Sequence, residues 1–182
     1  MPDLSPSQWW YLALVALVVL VRLVELGVAK RHLRWARAHG GVEYGASHYP
    51  VMVALHVALF LGCVLEVVLA DPPFLPWLGW PMLAVLVGAH ALRWWCIRTL
   101  GTQWNTRVVI VPGLALKTGG PYRWLRHPNY VAVVAEGVAL PLVHTNWVTA
   151  TAFTLANLVL LRVRIRVEEA ALATAPSPPS RA

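Results

Sequence analysis

The sequence predicts an all-α integral membrane protein of about five transmembrane helices, with the amino terminus outside and the carboxyl end cytoplasmic. Three observations carry that prediction. Hydrophobic residues make up 58% of the 182 residues and charged residues only 13%, which is far from the balance of a soluble domain. Apolar runs long enough to cross a bilayer core, about 20 residues each, recur along the chain between short polar segments. The chain also holds ten tryptophans, whose apolar body and single N–H suit the headgroup boundary. The net charge is +7, but the basic residues fall between apolar spans. They do not form the solvated, aromatic-interleaved face that nucleic acid requires, so that partner is excluded. Cys63 and Cys96 lie inside apolar segments with no CxxC and no metal-ligand spacing, so neither a disulfide framework nor a metal site is expected.

The size fits one domain, taken as 1–172, with a Pro/Ser/Ala-rich tail over 173–182 expected to be disordered. Met1 to Gln8 lacks a basic n-region, and the apolar run that follows is too long for a signal-peptide core. The first span is expected over Trp9 to Ala29, with Arg22 and Glu25 three apart and paired on one face near the interface. Lys30 to His39 reads as a basic loop or an interfacial helix, and Val42 to Pro50 as either a linker or a second part of a site. A second span follows from about Val51 to Ala70 and is ended by Asp71-Pro72-Pro73; a third runs from about Phe74 to Ile97. His56, Glu66 and His90 sit at membrane depth, where ionisable groups are costly and turn into the bundle. Each reads as an interhelical hydrogen-bond partner or as lining of a site, with partnering the first choice for each alone.

Arg98 to Arg126 is too long for a plain connection, and loops of such length in compact domains are usually functional. A fourth helix is expected from Pro128 to Val143 with Glu136 inside it. After a short turn, a fifth helix starts at Trp147 and reaches Glu168-Glu169, and helices four and five suit a hairpin within the bundle. No internal repeat is visible. With five spans and an outward amino terminus, nearly all of the 15 Lys and Arg residues fall in or beside cytoplasmic segments, as the positive-inside rule demands.

One stretch is out of character with its surroundings. Gly119 to Tyr130 packs Arg123, Arg126, His127, Tyr122 and Tyr130 between glycines and prolines. A turn followed by a helix start accounts for Gly119-Gly120-Pro121 and for Pro128, but it leaves the polar side chains without a role. His127 precedes a proline and is held out of helical conformation, which constrains its ring. The predicted topology brings this stretch to the same membrane face as Gln103 to Arg107 and Arg162 to Glu169, and predicts contact between the first and last of the site's halves, Gly119–Tyr130 and Arg164–Glu169. A bland alternative is a basic rim that binds lipid headgroups. A fixed histidine, paired carboxylates and guanidinium groups beside a lipid phase instead suit a polar cofactor meeting an apolar substrate.

Gly120-Pro121-Tyr122-Arg123, then Arg126-His127-Pro128-Asn129-Tyr130, and downstream Arg164-x-x-x-Glu168-Glu169 together resemble the isoprenylcysteine carboxyl methyltransferase family of membrane enzymes. The likeness covers roughly the second half of the chain. Leu100-Gly101 to Trp104, Thr106, Val111-Pro112-Gly113 and Glu136 are more similar to a bacterial branch that methylates hydroxyl groups of long-chain alkylpyrones and alkylresorcinols. The resemblance implies S-adenosylmethionine on the cytoplasmic side of a bacterial inner membrane and a lipophilic small-molecule acceptor drawn from the bilayer lipids. It implies that Tyr122, His127, Pro128 and Tyr130 line the cofactor, that Leu116 and Gly120 give backbone contacts, and that Glu168 or Glu169 binds its polar groups. Arg164 falls nearest the acceptor as oxyanion stabiliser, with His127 or a neighbouring carboxylate as proton acceptor. Gln103, Trp104, Asn105 and Glu136 are the expected acceptor-binding residues. The short Pro/Ser-rich end after the glutamate pair differs from enzymes of the family that act on prenylated proteins, and shifts the expectation towards a free lipid. Isoprenylcysteine carboxyl methylation stays an alternative within the resemblance; the RHPxY outline is shared with membrane reductases that use NADPH, which is a further enzymatic reading, and a non-catalytic lipid-binding protein is the last.

Overall fold

The computed structural model describes residues 4–174. Five α-helices dominate. Helix α1 spans Pro6–Ala38, α2 Tyr49–Leu69, α3 Pro76–Leu100, α4 Pro128–Leu142 and α5 Trp147–Thr174. Four of them, α1, α2, α3 and α5, have the length and hydropathy to cross a membrane. Helix α4 has 15 residues, about 22 Å at 1.5 Å per residue. It is nonetheless largely buried, packed between α3 and α5. The predicted tail is shortened by α5, which carries on through Thr174; the rest of that tail lies outside the described residues.

Each helix start has a local cause. Ser5 caps α1 in a reciprocal box with Gln8, and Pro6 stands where a missing N–H costs nothing. Pro50, Pro76 and Pro128 occupy the same first-turn place in α2, α3 and α4. The basic segment after Ala29 is neither loop nor separate helix. It continues α1 without a break to Ala38, because Lys30 to Ala38 holds no glycine or proline to end the helix. The stop comes at Gly40, with φ +75°, whose successor Gly41 donates its N–H to Ala36 O at 2.8 Å.

The helices run alternately up and down, which gives the bundle two ends. At one end Gln8 donates from Nε2 to Val67 O and to Asp71 Oδ1, both at 2.9 Å. There too Tyr11 donates to Leu140 O at 3.1 Å, and Asn146 to Cys63 O at 2.9 Å. Glu66 caps α5 by accepting from Val148 N, Thr149 N and Thr149 Oγ1 at 2.7–3.0 Å, an interhelical role of the kind expected for it. Exposed Trp9, Trp77, Trp80 and Trp147 ring this end, while exposed Trp95 and Trp124 mark the opposite one. Tryptophans at both edges fit two headgroup layers. Between them an apolar core joins Tyr11, Val15 and Val18 to Leu59, Cys63, Val67, Leu86, Leu140 and Phe153. At Gly137 of α4 a Cβ would stand 2.1 Å from the Phe153 ring, so only glycine permits this approach of α5.

Within the bundle, Arg22 and Glu25 pair as expected but do not stand alone. Glu136 accepts from Arg22 Nε at 3.0 Å and from Arg93 Nη2 at 3.1 Å, and Arg93 Nε faces Glu25 Oε1 at 3.8 Å. Two guanidiniums and two carboxylates thus form a neutral cluster joining α1, α3 and α4. Arg93 belongs to the bundle interior, not to the basic rim. His56 donates from Nδ1 to Met52 O within its own helix (2.8 Å), and the His90 ring has no hydrogen-bond partner among the described residues. For these two no interhelical bond forms among the described residues; His56 instead lines a cavity within the bundle, and His90 lines neither cavity described below.

The structure adds a small ladder that the sequence does not announce. Strand β1, Val42–Tyr44, pairs antiparallel with β2, Val108–Ile110, with Glu43 opposite Val109. Three-residue strands are too short to show an alternating pattern. The ladder ties the α1–α2 connection to the long α3–α4 loop, at the end opposite Gln8 and Asn146.

Candidate active site

At the ladder end lies a cavity of about 640 Å³, within the range of small-molecule sites. Its walls come from the α3–α4 loop, the start of α4, and the last turns of α5. Of the residues singled out from sequence, Gln103, Trp104, Asn105, Leu116, Tyr122, His127, Tyr130, Arg164, Glu168 and Glu169 all line it. A second, smaller cavity of about 240 Å³ reaches into the bundle between α1, α2, α4 and α5. Its wall is mostly aliphatic and aromatic. Trp104, Asn105, Asn129, Tyr130 and Arg164 line both spaces, so these five residues form the junction.

The two predicted halves of the site are in contact. Tyr130 donates its hydroxyl to the Glu168 carboxylate and accepts from Arg164 Nε at 2.9 Å. His127 Nδ1 lies 3.9 Å from Glu168, its Nε2 lies 3.5 Å from Glu169, and its ring stacks on Tyr130 with centroids 5.4 Å apart. As the residue before Pro128, His127 has a non-helical backbone, φ −130° and ψ 60°, just ahead of α4, and its side chain lines the cavity.

Arg164 is 5% exposed and is held at three points. Besides Tyr130, it donates from Nη2 to Thr106 O at 2.5 Å and from Nη1 to Met52 Sδ at 2.6 Å. The guanidinium carries five N–H groups, and Arg164 stands in the wall of both cavities. The loop that supplies Thr106 is itself pinned. His32 donates to Trp104 O (2.8 Å), Asn105 donates to Ala29 O (3.4 Å), and Gln103 donates to Ala115 O (3.2 Å). Arg107 adds a bond to Glu43 at 2.5 Å and lies 4.0 Å above the Tyr49 ring, coupling the ladder to α2.

Tyr122 sits on a short helical turn, Gly120–Arg123. Burial pushes its phenol well above the ordinary range, and the nearby Cys96 thiol adds to the effect. It therefore stays a neutral hydroxyl throughout the working range of pH.

Three of the expected residues stand elsewhere. Gly120 and Pro128 line neither cavity. Gly120 is needed for another reason: its φ is +55°, and a Cβ there would lie 2.3 Å from Thr99 Oγ1. Pro128 is buried at the first turn of α4. Glu136, expected to bind the acceptor, is 2% exposed and committed to Arg22 and Arg93 in the ion cluster, because two desolvated guanidiniums require a second carboxylate. Asn129, Arg107 and Met52 were not assigned roles from sequence. Asn129 stands inside the His-Pro-Asn-Tyr run and Arg107 closes the polar segment from Gln103, which are their signals; Met52 has none.

Membrane-length helices thus carry a polar-rimmed chamber at one end and an apolar chamber among the spans, the two sharing part of their walls. Comparison makes the class specific. The sequence profile of the isoprenylcysteine carboxyl methyltransferase (ICMT) family matches residues 82–174. The chain belongs to this family of membrane methyltransferases. It is 39% identical to the uncharacterized protein YpbQ of Bacillus subtilis over 160 residues, 87% of this chain and 94% of that protein. Protein-S-isoprenylcysteine O-methyltransferase of Tribolium castaneum is 32% identical over 98 residues, 53% of this chain and 35% of that enzyme. Among solved structures, the eukaryotic intramembrane Ras methyltransferase ICMT superposes with a TM-score of 0.53 at 26% identity, over 69% of this chain and 46% of that one.

Proposed function

We propose that the protein is an S-adenosylmethionine-dependent O-methyltransferase acting on a lipophilic hydroxyl acceptor, such as a long-chain alkylpyrone or alkylresorcinol, at the cytoplasmic face of a bacterial inner membrane. The observation that carries this reading is the pair of adjacent chambers, one polar-rimmed and one apolar, which share Arg164 and Tyr130 in their walls. The larger chamber suits the cofactor by its donor set. Glu168 and Glu169 offer acceptors for hydroxyl or ammonium groups, Tyr122 and His127 offer ring faces, and Leu116 an apolar edge. When bound, S-adenosylmethionine supplies an electrophilic methyl group.

The chain's own residues then have distinct tasks. Arg164, locked by Tyr130, Thr106 and Met52, presents its remaining N–H groups to the acceptor oxygen and stabilises it as an anion. His127, between the two glutamates, receives the proton the acceptor loses. Walls drawn from α1, α2 and α5 hold the tail and keep water from the reacting oxygen, so that positioning supplies much of the rate.

A carboxylate acceptor on a prenylated cysteine is the second reading. It is favoured by the activities named for the Tribolium relative and for the solved structure. Purified protein in detergent should bind S-adenosylhomocysteine in a calorimetric titration. Membranes incubated with labelled S-adenosylmethionine and a lipid extract should yield a methylated phenolic or enolic lipid. Absence of S-adenosylhomocysteine binding defeats the proposal, and binding of NADPH in its place identifies a reductase.

A further inference from the structure

The smaller chamber is apolar in most of its wall, yet it holds an unusual set of unsatisfied groups. Among the described residues, Glu25 Oε1, Arg93 Nε, Trp104 Nε1 and Asn129 Oδ1 are buried atoms without a hydrogen-bond partner, and all four residues line this chamber. Glu25 and Trp104 are each 2% exposed, and Arg93 4%. A buried donor or acceptor left unpaired is expensive and rare. The four are two donors and two acceptors on one small cavity, contributed by α1, α3, α4 and the α3–α4 loop. Trp104 and Asn129 stand at the junction beside Arg164; Glu25 and Arg93 stand in the wall of the smaller chamber alone.

The chemistry of a partner follows from charge and spacing. The cluster of Arg22, Arg93, Glu25 and Glu136 is neutral as it stands, so a further ion would be left unbalanced in the bundle. Glu25 Oε1 and Arg93 Nε are 3.8 Å apart, too far for a hydrogen bond to each other. Both are within reach of one oxygen at about 2.8 Å from each. A hydroxyl fits, accepting from the guanidinium and donating to the carboxylate. At the junction, Trp104 Nε1 is a donor and Asn129 Oδ1 an acceptor, either of which can bond a hydroxyl.

We infer that the smaller chamber recognises a second, uncharged oxygen function on the acceptor lipid, in addition to the oxygen that is methylated. This rests on the methyltransferase reading above and narrows its substrate class. A lipid whose head carries two oxygens on one compact ring satisfies the chamber; one with a single hydroxyl on an otherwise hydrocarbon frame leaves these groups unpaired.

The test compares pentadecylphenol with pentadecylresorcinol, which share a tail and differ by one ring hydroxyl. The parent protein should favour the resorcinol at least about tenfold in kcat/KM, since a site built to bond a hydroxyl rejects the analogue lacking it. Trp104→Phe removes the indole donor and Glu25→Leu removes the carboxylate acceptor, and at least one of them should bring the ratio to within about threefold of unity. Using both variants guards against one failing to fold. Equal use of the two lipids by the parent overturns the inference, as does a preference that persists in both variants. If neither lipid is methylated but S-adenosylhomocysteine still binds, the ratio is read from dissociation constants, and equality or absence of binding overturns it. Failure to bind S-adenosylhomocysteine strikes at the methyltransferase reading instead.

Discussion

Arg164→Lys keeps the positive charge and removes the planar fork. In the structure the guanidinium spans Tyr130 Oη, Thr106 O and Met52 Sδ from three nitrogens. One ammonium on a flexible stem cannot reach all three and also present donors to an acceptor oxygen. Retaining the shortest contact, to Thr106 O, costs the bond to Tyr130 and the hold on the acceptor. Hydrogen bonds from a charged donor contribute about 1.5–3 kcal/mol each, so the loss in transition-state stabilisation is about 3 kcal/mol, or about a hundredfold in kcat/KM. The assay is the initial rate of labelled methyl transfer to pentadecylresorcinol in detergent micelles. S-adenosylhomocysteine affinity is measured in parallel and should change by less than about threefold, because Glu168 and Glu169 remain in place. A lysine variant that retains kcat/KM within about threefold of the parent would refute the view that the fork geometry matters.

Glu136→Leu should lower the melting temperature by on the order of 10 °C, since breaking a buried ion cluster leaves one guanidinium unmatched; an unchanged melting curve would contradict the pairing with Arg22 and Arg93. Gly120→Ala should weaken S-adenosylhomocysteine binding about tenfold or more, because a left-handed φ and the Thr99 side chain both oppose a Cβ, costing about 1–2 kcal/mol for the conformation alone. His144, in the turn before α5, is buried among Tyr11, Phe74 and Trp10, and burial holds its imidazole below the ordinary value, with Asp71 opposing in part. The unfolded chain therefore takes up the proton first. The stability this residue contributes is present above the unfolded value of about 6.5 and is lost as pH falls below it. Melting temperature should drop on acidification from neutral pH in the parent and drop less in His144→Leu; identical pH profiles would rule the residue out.

The span pattern was legible because apolar length is a local property of the chain: Val51 to Ala70 reads as a spanning helix from hydropathy alone, and α2 is found over Tyr49–Leu69. The Arg-His-Pro-Asn-Tyr run and the glutamate pair were legible as polar exceptions in an apolar chain. Partners distant in sequence were not. Glu136 looks like any ionisable residue facing a site until Arg22, 114 positions earlier, is folded against it. Gly120 reads from sequence as a backbone contact for a ligand; that a Cβ there would strike Thr99 on α3 is visible only in the folded chain. The β1–β2 ladder draws its three pairs from segments more than sixty residues apart, and neither strand carries a pattern by itself.

By itself, the sequence determined the membrane class, the helix starts at Pro50 and Pro128, and which residues are chemically equipped to form a site. Local composition and backbone preference suffice for those. Only the tertiary structure decided which polar groups pair with one another and which are left facing a cavity. Burial makes every unpaired donor or acceptor costly, and the pairing is set by distances between helices. That is why Tyr130 comes to bridge Arg164 and Glu168, why Glu136 is withdrawn into the ion cluster, and why Glu25, Arg93, Trp104 and Asn129 keep unsatisfied atoms around the chamber next to the site.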